Sequence, residues 1–296
     1  MKRLFRILLK LLVSLAAVAV LALAAVYVLT ERRMGRRYTV DPPDIAIPTD
    51  EASIERGRHI AHNVSACVVC HGPDLGGHVL PEGELPPGSR LAAANLTRGK
   101  GGVGSRYTDK DWVRSLLYAV APDGRPLIFM PAQDYHFTEQ DLGALIAYLK
   151  TLPPVDRELP PPQIGMLVRV LSYVSGFPLI PYELIDRGQP RLASGPPPES
   201  LSPVERGRRL VGASACTGCH REDFTGGAGP PPGAPNITPA RLAGWTEADF
   251  LRIFRERRKP DGTALLPQMP AQVYAGMSDD ELKAIWAYLR TVPAKE

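Results

Sequence analysis

Apolar and polar positions follow two patterns along this chain. Leu11–Thr30 is an uncharged run of 20 residues with Lys and Arg on both sides. About 20 apolar residues suffice for a helix to cross a bilayer, whereas a signal-peptide core has roughly 7 to 15. The run therefore predicts an uncleaved anchor, with Ala22-Leu23-Ala24 as a cleavage site in the alternative reading. Beyond it the pattern is helical. Segments Ile54–His62, Thr108–Val120, Thr138–Leu149, Val204–Val211 and Thr246–Arg257 predict helices, with Thr108 and Thr246 as N-caps. Ser278-Asp279-Asp280-Glu281 has capping-box form, and Leu282, Ile285, Trp286 and Leu289 follow on one face. No run alternates with period two, so the expected fold class is all-α without a sizeable sheet.

These helices belong to a duplicated unit. ERGRHIAHNVSACVVCH (Glu55–His71) matches ERGRRLVGASACTGCH (Glu205–His220) with one residue lost. Asn95-Leu96-Thr97 then matches Asn236-Ile237-Thr238, and YTDKDWVRSLL from Tyr107 matches WTEADFLRIF from Trp245. Pro122-Asp123-Gly124 matches Pro260-Asp261-Gly262, and Met130-Pro131-Ala132-Gln133 matches Met269-Pro270-Ala271-Gln272. The last helices share IAYLKT and WAYLRT. The expected organisation is an anchor segment over 1–37, a linker over 38–52, a first domain over 53–153, a Pro-rich linker over 154–202 and a second domain over 203–296. Within the Pro-rich linker, Met166–Val174 is apolar enough to pack on a domain or touch a membrane.

Charge divides along the same boundary. Residues 1–37 hold eight basic side chains against Glu31 alone, while the other 259 hold 27 basic and 30 acidic ones. The positive balance thus belongs to the anchor end and gives no reason to invoke nucleic acid.

The four cysteines, Cys67, Cys70, Cys216 and Cys219, form two C-x-x-C pairs, each followed by a histidine, His71 and His220. Two thiols three positions apart can add to the two vinyl groups on one haem edge, and the adjacent histidine then ligates the iron beneath. A zinc site would place its second pair about 15 to 20 residues on, but 145 residues separate Cys70 from Cys216. Thioredoxin-like pairs need a βαβ setting, and simple disulfides leave the two histidines unexplained. The expected cofactors are two covalently bound haem c groups.

For the sixth iron ligand, His220 is the only histidine of the second unit, which leaves Met269, Met277 or water. Met269 is favoured because Met130 occupies the matching place, whereas Thr138 is the nearest match to Met277. In the first unit His59, His62, His78 and His136 compete with Met130, but none has a histidine counterpart. The expected iron ligands are His71, Met130, His220 and Met269.

Each unit resembles a class I cytochrome c domain, over about 53–153 and 203–293. The resemblance implies that the first helix of each domain crosses the last, with Gly57 against Tyr148 and Gly207 against Tyr288. It also implies that Asn95, Thr97, Asn236 and Thr238 lie near the haem propionates, with loop capping as the alternative. The shared blocks are similar to those in cytochrome subunits of bacterial membrane-bound alcohol and gluconate dehydrogenases, which typically carry three haem domains rather than two.

The expected function is single-electron relay, without catalysis, between a membrane-associated dehydrogenase or respiratory complex and a soluble cytochrome or terminal oxidase. Haem attachment outside the cytoplasmic membrane, as the family implies, places both domains in the periplasm on a single-pass inner-membrane anchor. The rivals are a dihaem peroxidase-like enzyme, which needs an open distal site, and a cytochrome subunit of a larger dehydrogenase or oxidase complex.

Overall fold

The computed structural model describes residues 2–81, 83, 85–175, 177–195, 200–227 and 233–296. Helix α1 (Lys2–Met34) holds the uncharged run and continues it in both directions; its apolar side chains are exposed. In the first domain α2 (Glu51–His59) passes through a wider turn at Ile60–Val64 into the short α3 (Cys67–His71). Then come α4 (Asp109–Tyr118) and α5 (Glu139–Thr151). A two-residue antiparallel pair, β1 (His78–Val79) with β2 (Ala92–Ala93), is the one sheet among the described residues. Helix α6 (Met166–Val174) lies between the domains. The second domain repeats the scheme with α7 (Pro203–Ala213), α8 (Cys216–His220), α9 (Glu247–Glu256), α10 (Ala271–Tyr274) and α11 (Asp279–Leu289).

Local chemistry explains the helix starts. Thr108 and Thr246 accept hydrogen bonds from the backbone N–H groups of Asp111 and Asp249, whose carboxylates return the bond to the cap. Ser278 and Glu281 form the same box at α11. Each such cap is worth about 1 kcal/mol.

The helix crossing matches between domains. A Cβ added at Gly57 would lie 1.9 Å from the Ala144 carbonyl oxygen and 2.8 Å from Tyr148 Cβ; at Gly207 the same distances run to Ala284 and Tyr288. Only a residue without a side chain lets the two backbones approach this closely. Leu142, Leu145, Ile146 and Leu149 of α5, and Leu282, Ile285 and Leu289 of α11, are buried on the inner side of these crossings.

The two domains also pack on each other. Ser65 Oγ donates to the Ala213 carbonyl at 2.8 Å in a buried contact. The His136 backbone N–H donates to Gly212 O at 3.1 Å, and His59 Nε2 lies 3.0 Å from both Glu281 carboxylate oxygens. The described part of the Pro-rich stretch touches the first domain: Arg90 and Gln163 exchange both backbone hydrogen bonds, and Ala193 N–H donates to Phe137 O.

Candidate functional site

Each cysteine pair sits on one turn of helix entered through a left-handed residue. Ala66 and Ala215, directly before Cys67 and Cys216, both have φ of 52°. Four residues past each histidine the chain turns left-handed again, at Leu75 and Phe224. A non-glycine residue in this region costs about 1–2 kcal/mol, and its recurrence at matching places points to a loop held for function. Closure is also matched. Gly77 N–H donates to His71 O at 2.8 Å and Gly226 N–H to His220 O at 3.0 Å. Leu96 and Ile237 N–H groups return to Leu75 and Phe224 carbonyls, both at 2.9 Å.

The histidines are poised alike. His71 Nδ1 lies 2.7 Å from Ala94 O, and His220 Nδ1 lies 2.8 Å from Pro235 O. A carbonyl oxygen can only accept, so Nδ1 carries the proton in both rings and Nε2 keeps its lone pair. Burial lowers both histidine pKa values and favours the neutral imidazole. A neutral ring fixed by a backbone acceptor on the far nitrogen is the form that ligates metal. Burial likewise pushes the Cys67 and Cys216 thiols up to about 12, with the second cysteine of each pair adding to the effect.

The methionines take equivalent places. Met130 and Met269 are half-buried against the cores that include Cys67 and Cys216, and each accepts at its carbonyl from the alanine N–H two residues on, at 2.7 Å. Met277 is buried core, 3% exposed, and precedes the cap Ser278 as Phe137 precedes the cap Thr138. Its structural counterpart is thus Phe137 rather than Thr138. Of the other histidines of the first domain, three have surroundings separate from the cysteine turn and one does not. His62 Nε2 bonds the Tyr148 hydroxyl at 2.8 Å, His59 faces Glu281 and His136 packs at Gly212, whereas His78, on β1, lies beside Gly72 and His71 with its Nδ1 buried and unpartnered among the described residues.

The asparagines and threonines bond to backbone returning from the end of each domain. Asn95 Nδ2 donates to Val155 O at 2.7 Å, and Val155 N–H donates to Thr97 Oγ1 at 3.0 Å. In the second domain Asn236 Nδ2 and Thr238 Oγ1 both donate to Lys295 O, at 2.8 and 2.7 Å. Both sets strap down the chain that follows the last helix of their domain.

Two tyrosines escape the sequence reading. The Tyr135 hydroxyl donates to Ser65 O at 2.7 Å, and the Tyr274 hydroxyl donates to Ser214 O at 3.1 Å. Both are buried, and each holds the backbone two residues ahead of a cysteine pair. The signal was present: a tyrosine stands five residues after each repeated methionine, in Met-Pro-Ala-Gln-Asp-Tyr and Met-Pro-Ala-Gln-Val-Tyr.

Together, a thiol pair, a neutral imidazole with one open nitrogen and a half-buried thioether, all present twice, fit a covalently held iron porphyrin in each domain. The Trp112 indole N–H is buried without a hydrogen-bond acceptor among the described residues.

Comparison with known proteins agrees. A cytochrome c family model matches residues 54–153 and 204–293. The chain is 30% identical over 284 residues to a dihaem c-type cytochrome of Cereibacter sphaeroides, covering 86% of this chain and 90% of that one. It is 28% identical over 266 residues to the fructose dehydrogenase cytochrome subunit of Gluconobacter japonicus, covering 82% of this chain and 53% of that protein. A match to the gluconate 2-dehydrogenase cytochrome c subunit of Pantoea cypripedii, 35% identical over 99 residues, spans 29% of this chain and 22% of that one.

Proposed function

Because the chain belongs to the cytochrome c family and carries two covalent haem c groups, we propose that it relays single electrons from a membrane-associated dehydrogenase or respiratory complex to a downstream acceptor. Cys67 and Cys70 hold one haem, and Cys216 and Cys219 the other. His71 and Met130 would supply the iron ligands of the first haem, and His220 and Met269 those of the second. The observation that carries this reading is the duplicated Nδ1–H to carbonyl bond, which leaves the same nitrogen open beside each cysteine pair.

When bound, each haem supplies an iron that gains or loses one electron. The protein's part is to hold its ligands still, so that little rearranges as charge moves. His71 and His220 cannot turn without breaking their backbone bonds. Thioether donation from Met130 and Met269 would favour reduced iron and so raise the potential. The left-handed residues and the buried tyrosine hydroxyls hold the attachment turns in one conformation.

Helix α1 is the anchor, and both domains lie on the periplasmic side of the cytoplasmic membrane. Its apolar run supports this, being long enough to span. The names of relatives that are dehydrogenase cytochrome subunits support a second, compatible reading, in which the chain works as one subunit of such a complex.

Oxidised and reduced spectra of detergent-extracted protein test the relay. Two low-spin irons, each with a methionine-to-iron band at the red end of the visible spectrum, are expected. A high-spin iron with peroxide turnover would overturn the relay in favour of a peroxidase. Gentle extraction followed by size exclusion should recover a dehydrogenase in fixed ratio if the subunit reading holds.

A further inference from the structure

Helix α6 has its faces inverted relative to an ordinary surface helix. At 100° per residue, Tyr173, Met166, Val170, Val174 and Leu167 share one broad side. On it Tyr173 is 42%, Leu167 49% and Val174 73% exposed. Val168, opposite this side, and Arg169, at its flank next to Tyr173, turn inward and are buried. The helix's one charge is thus hidden, and its apolar side faces out.

What Arg169 is buried against locates this face. Its guanidinium donates to Glu31 Oε1 at 2.6 Å and to Tyr27 O at 3.5 Å, and stacks 4.3 Å over the Tyr27 ring. All three contacts are on α1, at the end of its apolar run. Arg33, one turn further, donates to Glu183 at 3.0 and 2.5 Å and lies 4.8 Å over the Tyr173 ring. Tyr38 OH donates to the same Glu183 at 2.9 Å. The exit of the anchor is therefore clamped to α6 and to the Pro181–Leu184 turn.

Levels follow from helix geometry. At about 1.5 Å per residue, Tyr27 lies about 4–5 Å short of Thr30, where the uncharged run ends. With that run across the hydrocarbon, α6 meets the lipid boundary.

We infer that the outward side of α6 is a membrane-interface surface, entering the phospholipid boundary and holding the haem domains at a set tilt to the bilayer. This rests on the anchor reading of α1. Phospholipid is favoured as the occupant because the apolar side continues directly from the spanning segment. Tyr173 suits the headgroup boundary, and the exposed Arg32, Arg36 and Arg37 suit anionic headgroups at that level. The uncharged outward side, flush with a bilayer, is what an in-plane helix presents.

The test uses full-length holoprotein in phosphatidylethanolamine and phosphatidylglycerol vesicles. Val174→Cys, Val20→Cys and Lys283→Cys, made singly, are nitroxide-labelled; the parent protein, treated identically, sets the background. Collision with oxygen, which partitions into lipid, is compared with collision with an aqueous nickel chelate. Val20 is expected to show the deep-bilayer ratio and Lys283 the aqueous one, with Val174 several-fold above Lys283 and below Val20. A Val174 ratio equal to that of Lys283, with Val20 still deep, overturns the α6 surface and leaves the anchor standing. An aqueous ratio at Val20 overturns the anchor, and the α6 surface with it.

Discussion

Replacing Gly207 with alanine tests the helix crossing that frames the second haem domain. The new Cβ would stand 1.9 Å from Ala284 O. A carbon and a carbonyl oxygen approach no closer than about 3.3 Å, so α7 and α11 must part by about 1.4 Å at the contact. The obstacle is helix backbone, which cannot rotate away as a side chain could. Overpacking of this kind costs about 3 kcal/mol at the upper end. Alanine's better helix propensity returns about 1 kcal/mol, leaving a net loss of about 2 kcal/mol. For a domain of about 100 residues this lowers the melting temperature by roughly 10 °C. Calorimetry of the oxidised holoprotein should resolve the shift. The methionine-to-iron band should fade in the same transition, because Met269 is joined to α11 only through the short α10. Gly244→Ala is the control, since nothing lies within 4 Å of a Cβ there. A Gly207→Ala protein that melts with the parent would refute the crossing as a backbone contact.

Other outcomes follow from the same structure. Met269→Ala should leave both haems attached and lower one of the two midpoint potentials; an unchanged redox titration would mean that the sixth ligand is elsewhere. Replacing both Cys216 and Cys219 with serine should reduce haem surviving acid acetone from two per chain to one, and retention of both would undo the attachment assignment. The Asp134 carboxyl, raised to about 6 from 3.8 by burial, with Glu222 adding to the effect, keeps its proton longer in the folded chain than in the unfolded one. Folded protein then binds more protons between these values, so stability falls as pH rises through that window. Asp134→Asn should flatten the fall, seen as a melting temperature that varies less between pH 4 and pH 6; an unchanged slope would place the effect on another group.

The haem chemistry, the twofold repeat and the helix caps were legible because each is local. A C-x-x-C-H motif, a Thr or Ser three residues before an acid and an uncharged run of 20 residues state their physics within a few positions. Repetition added what one copy lacks, singling out Met130 and Met269, while the family resemblance paired Gly57 and Gly207 with their tyrosines. Tertiary structure decided what depends on groups far apart in the chain. Tyr135 holds Ser65 across 70 residues, and Arg169 reaches Glu31 across 138. Asn95 and Asn236 each tie down a returning segment, at Val155 and Lys295, a contact that composition cannot foretell. The apolar α6 segment reads equally well as core or lipid surface until its neighbours are known. The physical reason is common to all these cases: a side chain's role is set by what removes it from water, and that partner is chosen by the fold.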